Sequence, residues 1–351
     1  MKMTFRWFGQ HDPVSLEQIR QIPGVTRIVS SIYDVPVGEA WPLERILELK
    51  EEVERSGLSL EVIESVPVHE AIKLGKPSRD LYIENYQTTL ENLSKAGIYT
   101  VCYNFMPVFD WFRTRLDQPL DDGSTTLSYD HNVLNSSNSS GQSFDFADFK
   151  LAGWDSSFEP GEFQGLVSEY TEIGEEGLWD SLEYFLRSII GTAHESEVKL
   201  AMHPDDPPWS IFGLPRIIRD EPSLARLLAL TDSPSNGLTF CTGSLGANPD
   251  NDLPAMIRKF GDRVYFAHCR NIRRVGDKSF QEAAHLSSEG SLDMVEVLRA
   301  YEEIGYSGPM RPDHGRMIWG ESGRPGYGLY DRALGATYLN GIWEALASAR
   351  S

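Results

Sequence analysis

Strand-like and helix-like stretches alternate along the chain, and this alternation constrains the fold more than any other feature of the sequence. Eight short apolar runs, most of them continuous rather than alternating, are typical of parallel strands covered on both faces. Stretches with helical periodicity lie between them, as in repeated βα units. Eight such units predict an α/β protein with a (β/α)8 TIM barrel fold, a single domain over residues 1–351. The predicted strands are Phe5 to Gly9, Thr26 to Ile32, Ser59 to Glu64, Tyr99 to Phe105, Val198 to His203, Leu238 to Cys241, Val264 to His268 and Pro309 to Asp313.

The predicted helices carry apolar stripes and end signals. Ser15 and Gln18 have the spacing of a capping box, which predicts the start of a short first helix. Gly57, Gly97 and Gly305 stand where helices should end before the next strand. The clearest apolar stripe, with a period of 3.6 residues, consists of Leu178, Leu182, Phe185, Leu186, Ile189 and Ile190.

Two stretches interrupt the alternation. Residues from about Asp110 to Gly174 contain the run Asn132-Val-Leu-Asn-Ser-Ser-Asn-Ser-Ser-Gly and many aromatic residues. We interpret residues 110–174 as a long insertion after strand four, and insertions of this kind lie over the catalytic face of a barrel. The second stretch, Asn271 to His285, is polar and follows the seventh predicted strand. The alternative for both is a disordered loop.

The last four predicted strands each end on a side chain that can bind a transition metal. The residues are His203, Cys241, His268 and Asp313. In a barrel, the ends of neighbouring strands converge at the carboxyl-terminal mouth. Taken singly, a strand histidine is more often a hydrogen-bonded core residue, and a cysteine a small buried apolar one. Because packing does not require four strands to end in this way, we predict that the four side chains bind a divalent metal.

The charge of this ligand set permits two kinds of site. A thiolate, a carboxylate and two neutral imidazoles carry two negative charges, so that a divalent ion leaves the set near neutral and able to accept an anionic substrate. Four protein ligands complete a tetrahedral structural zinc site, whereas an octahedral Mn²⁺, Fe²⁺ or Co²⁺ keeps two positions for substrate oxygens. The residues alone leave both alternatives open.

Two residues after the last predicted strand are candidates for proton transfer. His314 directly follows Asp313, and histidine is the commonest acid or base in catalysis. The alternative is a residue that only orients its neighbours, or one in a surface loop. Tyr327 lies between two glycines and is the second candidate, with simple packing under the last helix as its alternative.

Two further residues are candidates for binding the substrate. Arg270 lies two positions after His268 and therefore on the same face of strand seven, where a guanidinium can bind a carboxylate with two hydrogen bonds. A salt bridge to an acidic neighbour is the alternative. Asn104 ends strand four and is predicted to line the pocket, as is Glu64 at the end of strand three, with turn roles as the alternative for both.

Charge and cysteine content restrict the partners. The chain has 32 Lys and Arg residues against 52 Asp and Glu, a formal net charge of −20 at pH 7. This negative charge argues against sequence-independent binding to nucleic acid and against binding to an anionic membrane. No apolar run is long enough to span a bilayer, and the amino terminus has no apolar signal core. The expected partner is therefore a small molecule. The three cysteines, Cys102, Cys241 and Cys269, cannot form a paired disulfide framework, so we expect a cytoplasmic protein.

Several segments resemble those of the D-mannonate dehydratases of the hexuronate pathway, almost from end to end of the chain. The longest is Met310-Arg-Pro-Asp-His-Gly-Arg-Met-Ile-Trp-Gly. The others are Gly323-Arg-Pro-Gly-Tyr-Gly-Leu-Tyr-Asp-Arg-Ala-Leu-Gly-Ala-Thr-Tyr-Leu-Asn-Gly, Tyr265-Phe-Ala-His-Cys-Arg-Asn and Met3-Thr-Phe-Arg-Trp-Phe-Gly.

The resemblance implies a barrel of the xylose-isomerase-like kind and a requirement for Mn²⁺ or Fe²⁺. It also implies the conversion of D-mannonate to 2-dehydro-3-deoxy-D-gluconate and water. The family's metal ligands fall on the four strand-end residues, and its acid and base fall on His314 and Tyr327. The fold suggests a homo-oligomer, a dimer or larger, by analogy. The alternatives are an aldose-ketose isomerase or epimerase on the same barrel and a non-catalytic protein with a structural zinc.

Overall fold

The computed structural model describes residues 1–134 and 162–348. Within them the strands, in chain order, are β1 (Lys2–Arg6), β2 (Arg27–Ser30), β3 (Ser59–Glu64), β4 (Thr100–Tyr103), β5 (Arg115–Pro119), β6 (Thr125–Asp130), β7 (Lys199–Met202), β8 (Asn236–Cys241), β9 (Val264–His268), β10 (Ile272–Gly276), β11 (Ser279–Glu282) and β12 (Pro309–Arg311). Eight of these strands form a closed parallel barrel in the order β1-β12-β9-β8-β7-β4-β3-β2. The predicted (β/α)8 barrel is therefore confirmed.

Helices pack around this barrel. They are α1 (Leu16–Arg20), α2 (Leu43–Arg55), α3 (Glu70–Lys73), α4 (Arg79–Lys95), α5 (Glu162–Glu195), α6 (Glu221–Leu230), α7 (Thr242–Gly246), α8 (Leu253–Phe260), α9 (Met294–Glu303) and α10 (Tyr330–Ser348). Helix α5 is kinked at Gly174, where φ is +63°. Among the described residues, no helix is long and apolar enough to cross a membrane.

The end signals of the helices act as predicted. The side chain of Ser15 accepts a hydrogen bond from the backbone N–H of Gln18. The side chain of Gln18 accepts one from the backbone N–H of Ser15, which completes the capping box before α1. Gly57, Gly97 and Gly305 have φ values of +82°, +74° and +69°, the left-handed conformation that ends a helix and favours glycine.

Apolar packing occurs in two layers, as expected for a barrel surrounded by helices. The larger core lies between the strands and the helices and includes the buried residues Leu178, Leu182, Phe185, Leu186 and Ile189 of the predicted α5 stripe. A smaller, separate cluster fills the barrel interior and consists of Val29, Val62, Cys102, Ala201 and Phe266. The two layers follow from the alternation of side chains along each strand.

The first strand was predicted three residues too late in the chain. It runs from Lys2 to Arg6, where Lys2 pairs with Pro309 of β12. Trp7 still donates its backbone N–H to Val29 of β2, and the chain leaves the sheet at Phe8, whose backbone N–H is accepted by the carboxylate of Asp12 at 2.8 Å. Gly9 then turns the chain with a φ of +89°.

The two stretches that interrupt the alternation join in one antiparallel sheet of order β10-β11-β6-β5. Strands β5 and β6 follow β4, whereas β10 and β11 belong to the polar stretch after β9. The polar stretch is therefore an ordered hairpin. An isolated bridge from Thr125 of β6 to Met317 connects the sheet to the segment after β12, and another joins Trp111, before β5, to Asp206, after β7. Most of the Asn- and Ser-rich run at 132–141 lies outside the described residues.

Candidate metal centre and active site

The strand register brings the predicted ligands to one level of the barrel. Cys241 of β8 and Arg311 of β12 both pair with His268 of β9, which lies between them. Paired residues on parallel strands point to the same side of the sheet, so these three side chains form one row facing the interior. His203 directly follows β7 and Asp313 follows β12 by two residues. The four predicted ligands therefore reach the same mouth.

Distances between the ligand atoms are those of a metal site. Nε2 of His203 lies 3.2 Å from Nδ1 of His268, and these atoms and the sulfur of Cys241 all lie within 4.8 Å of one another. Asp313 adjoins the group, with one carboxylate oxygen 3.7 Å from the sulfur of Cys241 and the other 3.8 Å from Nδ1 of His268. Ligand atoms that share an ion at about 2.0 to 2.3 Å lie about 3 to 4 Å apart.

Local backbone geometry aims two of the ligands inward. Cys241 is the N-cap of α7, and its sulfur accepts hydrogen bonds from the backbone N–H and the hydroxyl of Ser244. Asp313 has a φ of +59°, the left-handed conformation that aspartate tolerates better than most residues. The turn at Asp313 ends the strand and keeps both Asp313 and the following His314 buried at the mouth.

The protonation states also suit a divalent ion. Burial, reinforced by Arg311, lowers the pKa of His268 well below its usual value, so its imidazole is neutral. Burial alone would raise the pKa of Asp313, but cationic neighbours outweigh it and lower the pKa well below its usual value. Oδ1 of Asp313 forms an ion pair with Nη2 of Arg311 at 2.7 Å, so the carboxylate is held ionised beside the other ligands. An ionised carboxylate can bind a divalent ion.

The remaining two ligands fit the same interpretation. Nδ1 of His203 lies 2.7 Å from the carbonyl oxygen of Pro204. Because a carbonyl only accepts, Nδ1 carries the proton and Nε2 has a free lone pair for an ion. Burial raises the pKa of Cys241 to about 12. A divalent cation bound at the sulfur would remove the thiol proton.

A second cluster of residues that could bind a metal is already occupied by the side chain of an arginine. Ligand atoms of Glu64, Cys102 and His268 lie within 4.8 Å of one another. However, Nε of Arg311 donates to Nε2 of His268 at 3.0 Å and its Nη2 donates to Oε1 of Glu64 at 2.9 Å. The guanidinium of Arg311 therefore takes the place of a cation in this group.

His314 and Tyr327, the two predicted proton-transfer residues, lie in direct contact. Nε2 of His314 lies 2.8 Å from the hydroxyl oxygen of Tyr327, and both side chains are buried. Burial lowers the pKa of His314 and raises that of Tyr327. Nε2 of His314 is also 3.8 Å from Asp313. A neutral imidazole and a neutral phenol beside the ligand group can exchange a proton with a substrate bound there.

Arg270 is buried behind the site rather than exposed to the cavity. Its guanidinium donates to Asp206 at 2.8 Å and to Glu282 at 3.0 Å, and it lies 2.7 Å from Nδ1 of His314. Its Nε is 3.3 Å from Asp313. The structure thus agrees with the alternative of a buried ion pair and does not place Arg270 where it can bind a substrate carboxylate.

Asp206 and Glu282 extend this ion pair into the insertion sheet. Arg113 donates to Asp206 at 2.8 Å and to Glu282 at 2.7 Å, and Glu282 also lies 3.2 Å from Nδ1 of His314. Sequence reasoning missed all three residues. Nothing in their local pattern distinguishes them in a chain with 52 acidic and 32 basic residues.

Replacing Gly243 with alanine tests the importance of this buried arrangement. A Cβ atom at Gly243 would overlap Nε of Arg270, whose partners leave it no room to move. We expect the Gly243→Ala variant to lose about 1 to 3 kcal/mol of unfolding free energy, measured by denaturant unfolding, and also to lose turnover. Gly191→Ala, in α5, is the control because its Cβ meets no atom within 4 Å. Equal stability of the two variants would contradict the expectation.

A cavity of about 1080 Å³ opens above the ligand group at the mouth of the barrel. His203, Asp313, His314 and Tyr327 are among its lining residues. Asn104 also lines it, as predicted, but its amide donates to Asp110 at 2.9 Å and accepts the backbone N–H of Met106 at 3.1 Å. Its role in shaping the local turn is therefore observed as well.

Two charged residues at strand ends that sequence reasoning did not assign also line the cavity. They are Arg6 at the end of β1 and Arg311 at the end of β12, and Glu64 at the end of β3 lines it as expected. The signal for them was available, because a charged residue at the carboxyl end of a barrel strand points to the active site.

Comparisons with known proteins agree with this geometry. The family described as D-mannonate dehydratase (UxuA) matches residues 1–351. A mannonate dehydratase 2 from Halalkalibacterium halodurans is 61% identical over 351 residues, which cover 99% of this chain and 100% of that protein. The crystal structure of mannonate dehydratase from Streptococcus suis serotype 2 is 51% identical, with a TM-score of 0.90 over 100% of this chain and 96% of that one. A xylose isomerase domain protein from Planctomyces limnophilus, 13% identical with a TM-score of 0.55, shares the fold alone.

Proposed function

The chain belongs to the D-mannonate dehydratase family, and we propose that its reaction takes place at the carboxyl-terminal mouth of the barrel, around Asp313 and His314. The enzyme is a hydro-lyase that converts D-mannonate to 2-dehydro-3-deoxy-D-gluconate and water. One observation carries the placement: His203 and Asp313, two of the four proposed ligands, line the same cavity as His314 and Tyr327, which are in direct contact. The isomerase and structural-zinc alternatives are not favoured by this family.

The enzyme is metal-dependent. We propose Mn²⁺ as its ion, with Fe²⁺ or Co²⁺ as alternatives, because these ions accept nitrogen, sulfur and oxygen ligands and keep positions free for a substrate. The proposed ligands are His203, Cys241, His268 and Asp313. If Nδ1 of His268 binds the ion, the ring proton lies on Nε2. The hydrogen bond that Nε2 accepts from Arg311 is then replaced by one that Nε2 donates to Oε1 of Glu64, 3.5 Å away. When bound, the ion supplies positive charge where negative charge develops on the substrate carboxylate.

The reaction requires two proton transfers, and we assign them to His314 and Tyr327. One group takes the proton from C2, and the C2 electron pair forms a double bond to C3. The C3–O bond breaks, and the departing hydroxyl receives a proton from the other group and leaves as water. The resulting enol becomes the 2-keto acid when C3 gains a proton and the hydroxyl group at C2 loses one. The 2.8 Å contact between the two side chains supports a shared task, since a proton given up by one can be replaced through the other.

Product analysis tests the reaction. The purified protein with Mn²⁺ is expected to convert D-mannonate to a 3-deoxy-2-keto acid and one equivalent of water, measured by keto-acid assay and mass spectrometry. An isomerase or epimerase would give a product of unchanged elemental formula. Such a product would contradict the assignment.

Further proposals concern organisation and location. We take residues 110–174 as one insertion over the catalytic face of a single domain, which is supported by the ring of Trp111, 4.9 Å from that of His314. A homo-oligomer, a dimer or larger, is proposed by analogy with the fold. A cytoplasmic location is supported by the three cysteines, all free and buried.

A further inference from the structure

Two arginines on the cavity wall have hydrogen-bond donors that no described residue uses. Arg6 and Arg311 are 5% and 2% exposed, and both line the cavity. Nη1 of each is buried without a hydrogen-bond partner among the described residues. A buried charged donor without a partner costs free energy, so such donors in a cavity indicate a ligand with acceptor oxygens.

Arg6 also forms no ion pair within 4 Å of its guanidinium in the described part of the chain. Its Nη2 donates to the hydroxyl oxygen of Tyr33 at 2.7 Å, and its guanidinium lies 4.7 Å from the centre of the Phe8 ring. These neutral partners fix its position but do not balance its charge. A buried cation that only neutral groups contact is suited to bind an anion. Arg311, in contrast, pairs with Glu64 and Asp313 and keeps only Nη1 for a ligand.

The two guanidinium groups flank the same part of the cavity. Arg6 pairs with Val29, a residue of the interior cluster, and its side chain therefore points into the barrel. Met3 pairs with Met310, so Arg6 stands two residues closer to the mouth than Arg311. Strands β1 and β12 are paired neighbours in the barrel, so the two side chains stand on adjacent strands of its inner wall.

Other arginines near the site do not offer the same combination. Arg270 has its guanidinium occupied by Asp206, Glu282 and His314. Arg324 lines the cavity but is exposed at its rim. Arg216 is buried with unused donors, but it faces Asp205 and Asp110 rather than the cavity wall.

We infer that Arg6 and Arg311 together bind the carboxylate of the sugar acid through their Nη1 donors. The inference rests on the proposed placement of the reaction in this cavity and gives Arg6 and Arg311 the role that the sequence suggested for Arg270. Two guanidinium groups at the carboxylate also favour the charge that builds up there when the C2 proton leaves. An acidic protein with a net charge of −20 can in this way select an anionic substrate.

Arg6 is the better residue for a test, because Arg311 also contacts the metal-ligand residues. The ligands are the 3-deoxy derivative of D-mannonate, which cannot lose water, and its uncharged amide. Binding of both to the Mn²⁺-loaded protein is measured by calorimetry. Arg6→Gln is expected to weaken binding of the acid by about 10- to 100-fold and binding of the amide by less than about 3-fold. Arg6→Lys, which keeps the charge, should recover part of the affinity for the acid.

Arg27→Gln is the matched control, because Arg27 pairs with Glu61 at the opposite end of the barrel. It should bind both ligands like the unchanged protein. Equal weakening of acid and amide by Arg6→Gln, or no weakening of either, would overturn the inference. Turnover of D-mannonate by the unchanged protein is followed in parallel, so that a failure of the proposed reaction is seen separately from a failure of carboxylate binding.

Discussion

Replacing Tyr327 with phenylalanine is expected to lower kcat for D-mannonate by about 10²- to 10⁴-fold, the usual contribution of a positioned acid or base. The substitution removes only the hydroxyl, which lies 2.8 Å from Nε2 of His314. The ring can keep its packing against Phe8, whose ring centre is 4.7 Å away. KM and the melting temperature should therefore change little. Steady-state keto-acid assays and thermal unfolding measure these quantities.

Tyr330→Phe is the matched control, because Tyr330 follows in the same segment, is exposed, and contacts the ring of Trp319 at the surface. It should leave kcat unchanged. The double variant with His314→Gln should be hardly slower than either single variant, since residues that act as one unit are not additive in their effects. A Tyr327→Phe enzyme with ordinary kcat would rule out the phenol as a proton donor or acceptor.

The sequence predicted the barrel well because its signals are local. Continuous apolar runs mark the strands, and each helix signal depends on residues a few positions apart, as with Ser15 and Gln18. The ends of β7, β8, β9 and β12 could likewise be placed at one mouth by counting βα units. The convergence of His203, Cys241 and His268 follows from this count and from the closed parallel topology.

Contacts between distant segments were beyond the same reasoning. Strand β11 pairs with β6, and Phe280 lies opposite Tyr129, although about 150 residues separate the two strands. No local pattern indicates this pairing, so Asn271 to His285 was judged by its polarity. The role of Arg270 was predicted from strand alternation alone. Alternation shows on which face of the strand a side chain lies, but it does not show which residues of other segments contact that side chain. Its partners Asp206, after β7, and Glu282, in β11, come from distant parts of the chain. They hold the guanidinium of Arg270 against Nδ1 of His314 and away from the cavity.

Removal of the metal ion is expected to abolish turnover and to leave the barrel folded. The proposed ligands stand at strand ends, whereas the strands are fixed by the large core between barrel and helices. The melting temperature should therefore fall by far less than it does in a structural zinc protein, which unfolds without its ion. Added Mn²⁺ should restore the activity.

Cys241→Ser should show the same dependence in a milder form. A serine hydroxyl is a poorer ligand than a thiolate, so the variant should bind Mn²⁺ about 10- to 100-fold more weakly. A loss of this size is usual when a residue that hydrogen-bonds to a metal ligand is removed. Cys269→Ala is the control, because Cys269 is buried beside the site but its sulfur is not in the ligand group. It should bind Mn²⁺ normally.

The most direct test of the proposed metal centre is a titration of metal-free protein with Mn²⁺, in which bound ions per chain and keto-acid formation from D-mannonate are measured on the same samples. Turnover should be absent without ions and should rise in proportion to bound Mn²⁺ up to one ion per chain. In the Cys241→Ser variant the same rise should require higher Mn²⁺ concentrations. Full turnover by protein that elemental analysis shows to be free of metal would contradict the proposed centre.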